Sequence, residues 1–293
     1  MTTPTFSVTG SVQRVLRAVI EYDGTAFAGS QVQPDARTVQ GELEEALNRL
    51  MGERTQVRLA GRTDAGVHAT GQVAAFCLPH RFRGDGDSLA DLRRRLNAVL
   101  PHDLAVRSLR SAAKGFDPRR DARWRVYRYR ILMNGAVRPL ERHRTLEIND
   151  RLDVTAMRAA AERMVGERDF ASLGSHQHGR TVRHLAEVRV TRRGDLVEVR
   201  ATGDSFLRRM VRSIVEILLA VGRGRLAISE VDRILAGQAR ALDGRAAPAQ
   251  GLTLERVIYP SAGQINQPMA KQSTAAASDG PAAADQRKPE SST

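Results

Sequence analysis

Trp124-Arg-Val-Tyr-Arg-Tyr-Arg-Ile-Leu-Met133 reads as a strand that puts Arg125, Tyr127, Tyr129 and Ile131 on one face, because successive side chains of an extended chain point to opposite sides. Beyond it, Asp153 to Val165 has helical spacing with Met157, Ala161, Met164 and Val165 inward. Two further strand-like runs, Leu185 to Arg192 and Asp195 to Ala201, flank Arg193-Gly194, a hairpin signal. A long helix from Ser205 to Val221, a shorter one from Ser229 to Leu235 and a strand from Leu252 to Tyr259 complete the run.

The same order of elements precedes it. Arg14 to Tyr22 is strand-like, and Thr38 then precedes a stripe of Val39, Leu43, Ala46, Leu47 and Leu50 at helical spacing. Strands are expected over Gln56 to Ala60 and Gly71 to Leu78, separated by a polar loop from Gly61 to Thr70. Ser88 with Asp91 resembles a capping box that opens a helix running to Leu100, where Pro101 stops it, and a strand follows from Leu104 to Leu109. Both runs are therefore split βαβ units, ferredoxin-like or RRM-like. Residues 13–112 and 113–262 are expected to join their sheets into one continuous, mixed, mostly antiparallel floor, with helices on one side and a central cleft. The class is α+β.

The ends read differently. Residues 1–12 look like a loose arm, and residues 263–293 are rich in Ala, Ser, Gln and Pro with almost no bulky apolar groups, so they are expected to be a disordered tail. The 293 residues carry 46 Lys+Arg against 33 acids, a net charge of +13. The tail's three cations, Lys271, Arg287 and Lys288, cancel its three acids, so the excess lies on residues 1–262. That balance favours a polyanionic partner such as nucleic acid. Nearly all the cations are arginine, the lysines being Lys114, Lys271 and Lys288, and a skewed coding composition would contribute to that. No charge-free run is long enough to span a membrane, and the N-terminus lacks a basic segment followed by an apolar core. A cytoplasmic protein without membrane attachment is expected. Cys77 is the only cysteine, which excludes an internal disulfide, and the seven histidines show no metal-ligand spacing.

The segment Ala60-Gly-Arg-Thr-Asp-Ala-Gly-Val-His-Ala69 concentrates two glycines, a cation, a carboxylate and an imidazole between strands. Its glycines allow positive φ and close backbone approach, so a planar ligand could press against it. Asp64 is either a nucleophile or base, or a turn former bonding its own backbone. Arg62 either contacts phosphate or replaces an extruded base, or is a solvated cation; His68 either hydrogen-bonds nucleic acid or is a satisfied loop histidine.

Gly61-Arg-Thr-Asp-Ala-Gly-Val-His-Ala-Thr-Gly-Gln-Val-Ala74 resembles the signature of the TruA family of tRNA pseudouridine synthases. Further segments match in order: Ile20-Glu-Tyr-Asp-Gly-Thr-Ala-Phe27, Thr38-Val-Gln-Gly-Glu-Leu43, Tyr127-Arg-Tyr129, Gly166-Glu-Arg-Asp-Phe170, Phe206-Leu-Arg-Arg-Met-Val-Arg212 and Gly251-Leu-Thr-Leu254. The likeness spans roughly Val15 to Pro260. Two departures stand out: Ser30 replaces the aromatic of the family's usual Gly-Trp-Gln, and Asp117 replaces the histidine of its Phe-His-Ala-Arg.

The resemblance implies the pseudouridine synthase fold and a cofactor-free isomerisation of uridine in the anticodon stem-loop, at tRNA positions 38, 39 and 40, by a homodimer. It makes Asp64 the catalytic residue and Arg212 its partner from the other half, where a bidentate guanidinium would orient the carboxylate. A pairing of Arg212 with Glu216 within one helix is the plainer alternative. It makes Tyr127 the tyrosine that stacks on the target base and assists proton transfer, against ordinary packing with Tyr129 and Ile131. The target must be flipped out, and Arg62 is placed to fill the vacated space. Arg93, Arg94 and Arg95, with Arg119, Arg120 and Arg123, are candidates for phosphate contacts. A noncatalytic RNA-binding protein would share the fold and charge, but the strands lack an aromatic-rich RNP pattern. A methyltransferase would need a cofactor loop, and no Gly-x-Gly-x-x-Gly follows a strand.

Overall fold

Nine residues, Arg14–Tyr22, form β1, and their burial alternates so that Leu16, Ala18, Ile20 and Tyr22 face inward. The computed structural model describes residues 14–78, 88–133, 135, 138–174, 180–238 and 244–260. After β1 come α1 (Val39–Met51), β2 (Arg58–Leu59), β3 (His68–Leu78), α2 (Leu89–Val99) and β4 (Leu104–Ser111). The second half supplies β5 (Trp124–Leu132), β6 (Leu146–Glu147), α3 (Val154–Arg163), β7 (Gly166–Asp169), β8 (Val182–Arg193), β9 (Leu196–Gly203), α4 (Met210–Gly222), α5 (Ile228–Leu235) and β10 (Leu252–Ile258).

The helix starts follow local chemistry. The Thr38 hydroxyl accepts from the Gly41 N–H at 3.2 Å, and Gly52 ends α1 in the left-handed region. Ser88 accepts from the Asp91 N–H at 3.1 Å to open α2, and Asp153 accepts from Ala156 at 2.9 Å to open α3. Each cap satisfies an N–H that the helix itself leaves unpaired.

The sheet order β4-β1-β3-β10-β5-β9-β8-β7, with β2 on β3 and β6 on β5, contains the same motif twice. Numbering the four main strands of each half in chain order, both halves run fourth-first-third-second. The halves join where β10 lies between β3 and β5, parallel to β3 at Thr253–His68 and Leu254–Ala69 and antiparallel to β5. Gly71 permits that junction, since a Cβ there would lie 2.1 Å from the Glu255 carbonyl oxygen. Inward residues of the sheet and the apolar faces of the helices form one core, including Phe76, Leu96, Tyr129, Ile131, Met157 and Ile214. Away from the core, Arg128 pairs with Glu255 at 3.1 Å and with Glu198 at 3.3 Å, and Arg200 pairs with Glu255 at 3.0 Å.

Several boundaries differ from expectation, each for a tertiary reason. The polar loop ends at Val67, not Thr70, because β10 extends the ladder to His68. The strand expected over residues 56–60 is only Arg58–Leu59, the part opposite Ala74 and Ala75. The long helix expected from Ser205 begins at Met210, since Arg209 has φ of +65°, which an α-helix cannot accommodate. Helix α3 ends at Arg163, so Val165 is exposed and not packed inward. The sequence patterns also missed the short strands β6 and β7. The arm expected at residues 1–12 and the tail expected at 263–293 lie outside the described residues.

Candidate active site

The segment between β2 and β3 has little regular structure, and side chains hold its backbone instead. At its start, the Gln72 amide donates to the Gly61 carbonyl at 2.7 Å and accepts from the Gly61 N–H at 3.3 Å. In the middle, the Thr63 N–H donates to the Ser30 hydroxyl at 2.8 Å, the Thr63 carbonyl accepts from the Ser30 N–H at 3.1 Å, and the Thr63 and Tyr22 hydroxyls are 2.8 Å apart. The Val67 N–H then turns back onto the Asp64 carbonyl at 3.1 Å, with Gly66 at φ of +76°, a conformation that costs a glycine little. Thr63 and Val67 are buried, while Asp64 between them keeps its side chain 25% exposed. The turn is closed by the Asp64 carbonyl and not by its side chain, whose carboxylate remains partly exposed.

Arg212 of α4 reaches that carboxylate from 148 positions away, with Nη1 3.4 Å from Oδ2. Among the described residues it forms its ion pair with Asp64 and none with Glu216. The contact is single, not the expected bidentate fork, because Arg212 Nε donates to the Ala247 carbonyl at 2.6 Å and fixes the plane of the group. The other carboxylate oxygen faces Arg208, whose Nε lies 3.8 Å from Oδ1 and whose side chain is 69% exposed. Arg208 was not singled out in the sequence. The signal was present in Phe206-Leu-Arg-Arg-Met-Val-Arg212, but helical spacing assigned the run to one continuous helix. The left-handed turn at Arg209 lets Arg208 and Arg212 approach one carboxylate from two sides. An exposed pair such as Arg208–Asp64 contributes at most about 1 kcal/mol.

Tyr127 lies on β5, two residues from Tyr129, and its ring meets Phe206 edge-on with centroids 5.2 Å apart. Its hydroxyl sits 3.7 Å from where a Cβ on Gly61 would stand, so the ring adjoins the start of the loop. Burial pushes the phenol well above its ordinary pKa, the neighbouring Tyr22 and Asp64 add to the rise, and Arg125 opposes it. At neutral pH Tyr127 is therefore a neutral phenol, and the residue is 7% exposed and part of the packed core. Arg125, also on β5, is buried, and its guanidinium donates to four carbonyls: Ala60 at 3.2 Å, Ala122 at 3.1 Å, Asp204 at 2.6 Å and Arg119. It ties the start of the loop to the inter-half connection and to the end of β9, and burial lowers its pKa.

The remaining expected residues separate into buried and exposed groups. His68 is 4% exposed, and both ring nitrogens are engaged by backbone. The Gly24 N–H donates to Nδ1 at 3.0 Å, which assigns the proton to Nε2, 3.1 Å from the Gln250 carbonyl. In that tautomer the 3.2 Å approach of Asp23 Oδ1 to Nδ1 is not a hydrogen bond. His68 thus joins the loop to both halves and presents no free nitrogen to RNA. Arg62 is exposed at the rim of the loop. Arg93 and Arg94 are exposed on α2, with Arg93 donating to the Arg107 carbonyl at 2.9 Å and Arg94 to Asp91 at 2.6 Å. Arg119 is exposed, and the Arg123 guanidinium lies 5.8 Å from the Trp124 ring centroid. Asp117 accepts from the N–H groups of Arg119 and Arg120 at 2.9 and 3.0 Å and pairs with Arg58 at 3.2 Å, so it caps the turn that carries these arginines. Burial raises its pKa, but the two N–H bonds and Arg58 outweigh that and lower it.

Among the described residues no cluster of His, Cys, Asp or Glu could hold a metal ion, and no helix is long and apolar enough to cross a membrane. The model of the family described as tRNA pseudouridine synthase matches residues 18–117 and 160–260. A "tRNA pseudouridine synthase A" of Geobacter sp. (strain M21) is 41% identical over 250 residues, covering 84% of this chain and 99% of that protein. A protein of the same name from Chloroflexus aurantiacus (strain ATCC 29366 / DSM 635 / J-10-fl) is 44% identical over 256 residues, covering 84% of this chain and 89% of that one. Another from Myxococcus xanthus is 41% identical over 247 residues, covering 83% and 91%. Similarity at this level along both halves, on a fold with two fused split-βαβ units, places the chain in the tRNA pseudouridine synthase family, whose members are isomerases.

Proposed function

We propose that the chain converts uridine to pseudouridine in the anticodon stem-loop of tRNA, at tRNA positions 38, 39 and 40, with Asp64 as the catalytic carboxylate. The observation that carries this reading is one partly exposed carboxylate between two guanidiniums, 3.4 Å from Arg212 and 3.8 Å from Arg208. The reaction breaks the bond between uracil N1 and the ribose C1′ and joins C5 to the same carbon. The C5 proton is lost and N1 gains one, so nothing is oxidised and no atom leaves. Such chemistry asks for a nucleophile or base, a cation that orients it and walls that retain the free base. Asp64 supplies the first and Arg212 the second. Tyr127 and its neighbour Phe206 supply an aromatic wall on the side of Gly61.

The target base must leave its stack before Asp64 can reach its sugar, at a cost of about a few kcal/mol. Arg62, exposed two residues before Asp64, is placed to occupy the vacated space, and His68, just past the loop, is held by Gly24 and Gln250. Arg93, Arg94, Arg119 and Arg123 would bind phosphates and contribute affinity with little sequence discrimination. Two copies gripping one tRNA is the assembly that the family resemblance implies, and a tRNA substrate is consistent with a cytoplasmic location. The direct test is to incubate purified protein with unmodified tRNA, without additives, and to map pseudouridine by position. Modification at 38, 39 or 40 is expected, and its absence there overturns the reading.

A further inference from the structure

Ser30 stands where the family pattern has an aromatic, and it is fully buried. Its hydroxyl accepts the Thr63 N–H at 2.8 Å, its own N–H donates to the Thr63 carbonyl at 3.1 Å, and its carbonyl accepts from Gln40 of α1 at 3.0 Å. Its neighbour Gly29, at φ of +113°, passes so close that a Cβ would lie 3.0 Å from the same Thr63 carbonyl oxygen. On the far side, the Tyr22 hydroxyl lies 2.8 Å from Thr63 Oγ1. Every polar group of Thr63 is therefore held, and the residue held is the one immediately before Asp64.

From this geometry we propose that Ser30 is a positioning residue of the isomerisation: with Tyr22 it clamps Thr63 and so fixes where the Asp64 carboxylate meets the ribose. The inference rests on the reading of Asp64 given above. The loop has no ladder hydrogen bonds between Gly61 and Val67, so the direction of the Asp64 Cα–Cβ bond depends on how Thr63 is anchored. An aromatic at position 30 could fill space but could not accept the Thr63 N–H as this hydroxyl does. The clamp is stiff because it is buried, where a hydrogen bond is not contested by water. It also connects the loop through Gln40 to the first turns of α1, a rigid support.

Steady-state kinetics of Ser30→Ala and Tyr22→Phe on tRNA test this. Tyr22→Phe deletes one oxygen and keeps the ring, so it decides the matter if Ser30→Ala does not fold. Asp153→Ala, which removes the cap of α3, serves as a variant with a purely structural defect. The expected result is a kcat lower by about 10- to 100-fold in both clamp variants, the range that a displacement of about 1 Å produces, with KM within about twofold of the parent. The Asp153→Ala protein should keep its kcat at a temperature where all are folded. Unchanged kcat in folded clamp variants, or an equal kcat loss in Asp153→Ala, overturns the proposal. An inactive parent protein would instead refute the assigned function and leave no kcat to compare.

Discussion

Between β8 and β9 the chain turns with two residues, Gly194 and Asp195, whereas the same connection in the first half, between β2 and β3, runs through eight, Ala60 to Val67. The short turn has glycine at φ of +59° and closes a ladder that pairs Arg193 with Leu196. The long one makes no ladder bonds between Gly61 and Val67: Gln72 and Ser30 hold its backbone, and Tyr22 holds the Thr63 hydroxyl. The second helices of the two halves differ in parallel. Helix α2 buries Leu92 and Leu96 only, while α4 buries every residue except Arg212 and Glu216. A duplicated topology thus places a carboxylate on a braced loop of one half and its guanidinium partner on a deeply packed helix of the other. Packing fixes the two charged groups independently, so their separation need not be enforced by the weak pair itself.

That contrast can be broken most sharply at Arg212. Arg212→Ala should lower kcat by about 100-fold or more, the scale seen when a charged group at a reacting centre is removed. Arg212→Lys should recover little, because Nε and Nη1 serve two acceptors, Ala247 and Asp64, at once. Next comes the support of that residue: Ile214→Ala, in the fully buried part of α4, should cost about 2–5 kcal/mol in chemical denaturation.

A smaller effect follows from the tyrosines. All four in the chain have raised pKa values from burial, with Tyr22 pushed up to about 12. The folded state then holds protons that the unfolded chain releases near pH 10, so this stability is fully present below about pH 10 and is lost as pH rises through the folded values. The slope is at most about 1.4 kcal/mol per pH unit for each tyrosine. Absorbance titration should show the phenolate step displaced upward from that of the unfolded chain. A native protein that ionises its phenols near pH 10 would contradict the burial of Tyr22 and Tyr127.

The smallest effect compares one substitution in both connections. Gly194→Ala and Gly66→Ala each force alanine into the left-handed region, at about 1–2 kcal/mol. Gly194 has open space around it, while a Cβ at Gly66 would lie 3.2 Å from Ala249 Cβ. Gly66→Ala should therefore also reduce turnover, and Gly194→Ala should not. Equal turnover in the two variants would show that the loop needs no more than a turn.

Local chemistry was readable in the sequence wherever it acts within a few residues. Thr38 and Ser88 precede and cap their helices, Asp153, expected as the first residue of α3, is its cap, and alternation put Tyr127, Tyr129 and Ile131 on the buried face of β5. What depends on distant partners was not readable. The early start of β3 at His68 needs β10, which is about 185 positions later. The helix break at Arg209 follows from a backbone angle that no residue type signals, since arginine rarely adopts it. The Asp64–Arg212 pairing came from likeness to a family and not from spacing. Ser30 and Arg125 make their contacts with backbone, which leave no mark in residue type.

The account is tested most directly by comparing the parent protein with Asp64→Asn on anticodon stem-loop RNA, measuring both binding and pseudouridine formed in a single turnover. Asn keeps the shape of the side chain and removes its charge. The prediction is binding within a few-fold of the parent and pseudouridine formation reduced by at least about 1,000-fold. Turnover by Asp64→Asn close to that of the parent would contradict the assignment of the carboxylate and, with it, the reading of the loop as an active site.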